Sequence, residues 1–119
     1  NNSNFEYELI NIDITNLEEI KKLDTYKGFD LIVGIAVMHH VPGKELRKSI
    51  TSFLKSLINS SGKIFLTSWN FTKTNSKLIV DPKLVGLEKS QLESNDYILT
   101  WKKLDYRYLC LLTSFSDLF

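Results

Sequence analysis

His39 and His40 close the apolar run LIVGIAVM and precede Val41, Pro42 and Gly43. Imidazole changes charge near neutral pH, so either ring can act as general base, hydrogen-bond donor or metal ligand. A metal would require further ligands at fixed spacing. With two histidines and one cysteine in the chain, no metal site is expected. Of two adjacent side chains leaving a strand, one is expected to face a crevice and the other to pack into the protein. Asp13 and Trp69 stand at comparable places, each just after an apolar or alternating run. Cys110 lacks an activating neighbour in sequence and reads as a small hydrophobe.

The elements that would hold these residues are legible in the spacing. FEYELINI, residues 5–12, sets Phe5, Tyr7 and Leu9 against Glu6 and Glu8, which is strand periodicity. Asn16 followed by Glu19 forms a capping box ahead of a short helix presenting Leu17, Ile20 and Leu23. Residues 31–37 are apolar at nearly every position, the pattern of a central strand covered on both faces of a parallel sheet. Residues 44–58 carry Leu46, Ile50, Phe53, Leu54, Leu57 and Ile58 on one helical stripe. Lys44, Arg47, Lys48 and Lys55 lie off it, as on a solvated face. Asn59 to Gly62 reads as a turn, and KIFLTSW, residues 63–69, as a third strand. Residues 70–94 form a long polar connection with a short helix expected around 84–92. Residues 97–101 and 106–112 read as short extended segments, and Ser114 or Ser116 as the start of a last helix.

Strand, helix, strand, helix, strand implies a parallel sheet with helices on its faces. In such a sheet ligands bind beyond the carboxyl ends of the strands. That places Asp13–Ile14, Ile35–His40 and Trp69 on one rim. There the Asp13 carboxylate can accept from an adenine amino group or a ribose hydroxyl, or else close an Asx-turn. The Ile14 N–H can serve an adenine ring nitrogen. Trp69 is an apolar wall for a base or a core residue. Asp30 stands at the opposite end of its strand and reads as structural.

The chain has 119 residues, enough for one core and one domain. Fifteen Lys and Arg against 14 Asp and Glu give a net charge of +1, so charge exerts no global pull toward nucleic acid, DNA included, or a membrane. No apolar run reaches the ~20 residues that span a bilayer. One cysteine and no signal-peptide pattern suit the cytoplasm. The opening without Met and the closing TSFSDLF are those of a piece of a longer protein.

FDLIVGIAVMHHVPGKELRKSITSFLKSLINSSGKIFLTSWN resembles the second half of a class I S-adenosylmethionine-dependent methyltransferase. IAVMHH, the strand ending in Trp69, and the later NDYILTWKK and YRYL resemble more closely the tRNA wobble-uridine carboxymethyl methyltransferase group. The family's tail has tyrosine and histidine where Leu109 and Cys110 stand. The resemblance implies a Rossmann-like α/β methyltransferase sheet, mostly parallel and lacking its N-terminal cofactor-loop half, over 1–119. Residues 70–113 would be an insertion on the substrate side. It implies S-adenosylmethionine as cofactor, with Asp13 and Ile14 at the adenine and Ile35, Ala36 and Val37 along the methionine part. His39, His40 and Arg107 would act on the acceptor, and Trp69, Trp101 and Tyr108 would border it. It also implies tRNA and an activating subunit as partners.

Methyl transfer mainly needs the acceptor held in line with water excluded. A carboxylate acceptor needs no base, so the histidines would orient it and Arg107 would pair with it or with a phosphate. An amine or hydroxyl would use His39 or His40 as base. Two rivals remain: a methyltransferase of small metabolites, and a non-catalytic piece that acts only by association. The glycine-rich cofactor loop and the acidic ribose-binding strand would lie before Asn1. The piece alone is therefore expected to bind S-adenosylmethionine weakly or not at all.

Overall fold

β1 (Phe29–Ile35) and β2 (Ile58–Thr67) pair in parallel, joined by helix α2 (Lys44–Leu57). They belong to a computed structural model that describes residues 4–102 and 105–119. Residues 1–3, and Lys103 of the WKK stretch, lie outside the described residues. The chain is α/β, built on this parallel pair and a separate antiparallel sheet in the order β3 (Ile79–Val80), β4 (Asp96–Trp101), β5 (Asp105–Cys110). The expected single, mostly parallel sheet is thus replaced by two small ones.

The apolar stripe of α2 sets the first core. Ile50 buries with Ile20, Met38, Val41 and Leu118, and Leu46, Phe53, Leu54 and Leu66 pack around them. Each fully buried aliphatic side chain contributes roughly 1.5–3 kcal/mol. The helix passes into β2 without a loop, since Ile58 is already extended. Asn59 to Gly62 forms a bulge at the start of β2 rather than a free turn. Phe29 faces Ile58 and Leu31 faces Lys63, so β2 carries extra residues there. A Cβ at Gly62 would lie 2.8 Å from the Phe29 carbonyl oxygen, so only glycine permits the approach. The Asn59 amide donates to the Asp30 carboxylate across the bulge, which gives Asp30 its structural role.

Among the described residues, only one face of the parallel pair is covered. Leu31, Val33, Ile35 and Phe65 are each more than half exposed on the other. The expectation of burial on both faces fails because the sheet has two strands and a helix on one side only. Residues 5–12, expected as a strand, join neither sheet. Side chains hold that segment elsewhere: the Tyr26 hydroxyl donates to Glu8, and the Asp13 N–H donates to Glu19. Glu19 therefore reaches Asp13 instead of closing the expected box onto Asn16, whose side chain still caps helix α1 (Leu17–Ile20).

The second core joins helix α3 (Phe71–Thr74) to the antiparallel sheet. Phe71, Leu99 and Leu109 are fully buried, with Trp69, Leu78, Ile79, Tyr97 and Leu111 around them. The expected helix around 84–92 is two 3-10 turns, Pro82–Val85 and Lys89–Gln91. Gly86 between them takes a left-handed conformation (φ 77°) that ends the first turn. The chain closes on a 3-10 turn, Ser116–Leu118, whose Leu118 carbonyl accepts from Thr51 on α2.

Candidate functional site

The carboxyl ends of β1 and β2 are tied together one residue beyond the ladder. The Ala36 N–H donates to the Thr67 carbonyl at 3.2 Å and to its hydroxyl at 3.0 Å. Ala36 holds φ 55°, a conformation that costs an L-residue roughly 1–2 kcal/mol. The bend turns the chain sharply out of the sheet into the 3-10 turn Met38–His40. Met38 and Val41 anchor that turn in the first core, so the histidines between them are fixed from both sides.

The two histidines differ as expected. His39 is buried, and its Nδ1 accepts from the Trp69 backbone N–H at 3.2 Å. A nitrogen that accepts carries no proton, so the ring is neutral with its proton on Nε2. Burial, then the charge of His40, lowers its pKa. With its lone pair occupied, His39 holds Trp69 in place and is not free to take a proton from a ligand. His40 is exposed, its ring 4.4 Å from that of His39. Its pKa is lowered by partial desolvation and then by the Arg107 charge, against a hydrogen bond that the ring donates to the Tyr108 backbone, which raises it.

Aromatic rings continue the cluster. Trp69 meets Phe71 edge-on at 5.8 Å and Trp101 at 6.3 Å, and Phe71 meets Tyr97 at 5.4 Å. The Arg107 guanidinium sits 4.8 Å from the Trp101 ring centre, a cation–π contact. Pairing of Leu99 with Arg107 puts Arg107 on the same sheet face as Trp101. His39, His40, Trp69, Trp101 and Arg107 thus adjoin one another, the first three just beyond the strands of the parallel pair and the last two on the antiparallel sheet.

Tyr108 points to the opposite face of β5. Its hydroxyl donates to Asp96 at 2.6 Å and accepts from Arg47 at 3.3 Å. Burial, then the hydrogen bond to Asp96, raises its pKa strongly. Its ring is therefore part of the packing behind the cluster. Sequence reasoning missed Arg47, which is buried on α2 rather than solvated. The signal lay in its position one turn before Ile50 and Thr51, both buried. Cys110 is also buried, and burial raises its thiol pKa.

On the remaining side, Asp13 accepts from the Thr15 N–H at 2.9 Å and from its hydroxyl at 2.7 Å, an Asx-turn that lowers its pKa. Both bonds fall on Oδ1, which leaves Oδ2 to accept from a ligand. The Ile14 side chain packs on the cluster of Met38 and Val41. The Asp13–Ile14 corner therefore reaches the histidine turn through the core and not through a shared sheet. Ile35 and Ala36 are exposed, and Val37 is half-buried.

Two cavities lie away from this cluster. One, of about 190 Å³, borders Arg47, Glu93 and Cys110. The other, of about 700 Å³, borders Asp81, Lys83, Leu92, Tyr97 and Ile98. Neither is lined by a histidine or a tryptophan. Among the described residues no three of His, Cys, Asp or Glu are grouped to hold a metal ion, and no helix is long and apolar enough to cross a membrane. No known family, no curated protein and no solved structure matches this chain.

Proposed function

We propose that these residues form the acceptor side of an S-adenosylmethionine-dependent methyltransferase of Rossmann-like fold, acting on a carboxylate of a modified tRNA wobble uridine. The observation that carries the reading is the cluster of His40, Trp69, Trp101 and Arg107 beside the carboxyl ends of two parallel strands. That is where an α/β sheet offers backbone and side chains to a ligand.

The cofactor fits the residues in part. Asp13 Oδ2 suits an adenine amino group, and the exposed backbone at Ile35 and Ala36 suits the methionine portion. The Ile14 side chain is engaged in the core, so only its backbone is available to the adenine. When bound, the cofactor supplies an activated methyl group.

The chain's own residues then hold and orient the acceptor. Trp69 and Trp101 offer ring surface to a base. Arg107 pairs with the acceptor carboxylate or an adjacent phosphate. A carboxylate is ionised at neutral pH, so no group has to remove a proton. His40, neutral at that pH, contributes a hydrogen bond, and His39 fixes the Trp69 backbone.

Transfer of labelled methyl from S-adenosylmethionine to bulk tRNA, compared with small carboxylic acids, tests the reading in the polypeptide of the complete reading frame. Label on tRNA that is released by mild alkali, as a methyl ester would be, supports it. Label only on small acids transfers the site to a metabolite enzyme. The bare apolar face of β1 and β2 favours a second reading, in which the chain acts by association with another polypeptide. Absence of transfer to any acceptor, with a stable complex recovered, would support that one.

A further inference from the structure

One side chain connects the histidine turn to the hairpin that carries Trp101 and Arg107. Arg47 lies in the second turn of α2 and is 4% exposed. Its Nη1 donates to the Val41 carbonyl at 2.9 Å, at the exit of the histidine turn. The same nitrogen donates to the Tyr108 hydroxyl at 3.3 Å, on the strand that carries Arg107. Its Nη2 donates to Glu93 at 3.4 Å, at the entry to the hairpin. Glu93 in turn accepts from the Lys44 N–H at 2.9 Å, where Gly43 gives the start of α2 no side-chain cap. The Glu93 N–H donates to Asp96, whose other oxygen accepts from Tyr108. The guanidinium thus ties the histidine turn to the open end of the β4–β5 hairpin, on the entry side of β4 and on β5.

Burying such a cation is a poor source of stability. A buried charge loses its hydration, and an apolar side chain of similar volume often serves the fold as well. Here the loss is greater than usual, because Nε is buried without a hydrogen-bond partner among the described residues. What the planar fork supplies, and an apolar group cannot, is a fixed geometry between several acceptors.

We propose that Arg47 is a positioning residue, a clamp that sets the distance between His40 on the turn and Arg107 on the hairpin. The proposal rests on the methyltransferase reading for its purpose but not for its test. His40 is the natural reporter, since its surroundings are His39, Arg107 and the Tyr108 backbone. If the clamp is released, His40 leaves both the packing and the Arg107 charge, and its pKa rises toward the ordinary imidazole value of about 6.5.

The experiment is an NMR titration of the His40 ring in the full chain, in the wild type, Arg47→Lys and Arg47→Met. Arg47→Lys keeps the charge and loses the fork, so it separates position from electrostatics. The expected result is an upward shift of the His40 pKa in both variants. An unchanged His40 titration in a folded Arg47→Lys variant would overturn the proposal and leave Arg47 as a stability residue. Should both variants fail to fold, Tyr108→Phe removes one acceptor and keeps every charge. The same upward shift supports the clamp there, and no shift overturns it. The readout uses neither cofactor nor tRNA, so the clamp can stand if the methyltransferase reading falls, and the reverse.

Discussion

The backbone N–H of Trp69 donates to Nδ1 of His39, joining the exit of β2 to the turn that follows β1. This bond fixes the His39 tautomer and makes protonation of the ring costly, because protonated imidazole cannot accept. Folded-state pKa values of His39 and His40 both lie below the ordinary one. As pH falls through about 6.5, the unfolded chain gains protons that the folded chain refuses. The histidine contribution to stability is therefore complete above that pH and is lost below it, until the depressed folded values are reached. His39→Asn keeps an acceptor near the Nδ1 position and cannot titrate. Thermal unfolding at pH 7.5 and 5.5 should show a smaller loss for His39→Asn than for the wild type. Equal losses would remove His39 from this account.

Tyr108 behaves oppositely in sign. Its phenol pKa is raised by burial and by Asp96, so it contributes stability that is present below about pH 10 and lost as pH rises further. Ultraviolet titration should find one tyrosine that ionises only as the protein unfolds. Tyr108→Phe should abolish that late step. It should also destabilise the fold by ~1–3 kcal/mol, because Asp96 and Arg47 each lose a partner.

The Asx-turn at Asp13 separates two roles that share one side chain. Asp13→Asn retains the Oδ1 acceptor for Thr15 and removes the charge. Urea unfolding of this variant should match the wild type. Under the methyltransferase reading, S-adenosylmethionine binding by the complete reading frame should weaken roughly tenfold. An unchanged Kd would leave Asp13 as a turn-former only.

The placement of these residues was legible in the sequence wherever the chain's own neighbours decide it. Helix α2 follows its apolar stripe to within a residue, whereas β1 lies two residues before the expected 31–37 and β2 runs from Ile58 through the expected turn and stops at Thr67, short of Trp69. The convergence of His39 with Trp69 came from the rule that ligand-facing residues lie at strand ends. Other features were hidden, among them the state of residues 5–12 and of Arg47. Residues 5–9 alternate apolar with acidic, but alternation specifies a strand only if a ladder partner exists, and here Glu8 and Asp13 make side-chain contacts instead. Arg47 looked solvated because it lies off the apolar stripe with Lys44, Lys48 and Lys55. Its burial depends on acceptors at Val41, Glu93 and Tyr108, as far as 61 residues away along the chain, which no local pattern encodes.

The bare face of the parallel pair supports a prediction that owes nothing to catalysis. Val33 and Phe65 are paired neighbours, 53% and 60% exposed. Val33→Thr and Phe65→Lys should change unfolding free energy by no more than ~0.5 kcal/mol, as surface substitutions do. Both should reduce binding of an apolar dye and lower any self-association seen by sedimentation. A large loss of stability would mean that the face is covered in solution.

The account turns on Trp101 and Arg107 meeting the acceptor beside His40. The most direct measurement is labelled methyl transfer to bulk tRNA by the polypeptide of the complete reading frame, with Arg107→Gln and Trp101→Ala alongside. The predicted result is alkali-labile label on tRNA in the wild type and a loss of roughly 100-fold in each variant, the effect of a misplaced acceptor. Transfer at wild-type rate by both variants, or none to tRNA from a folded protein that binds the cofactor, would contradict it.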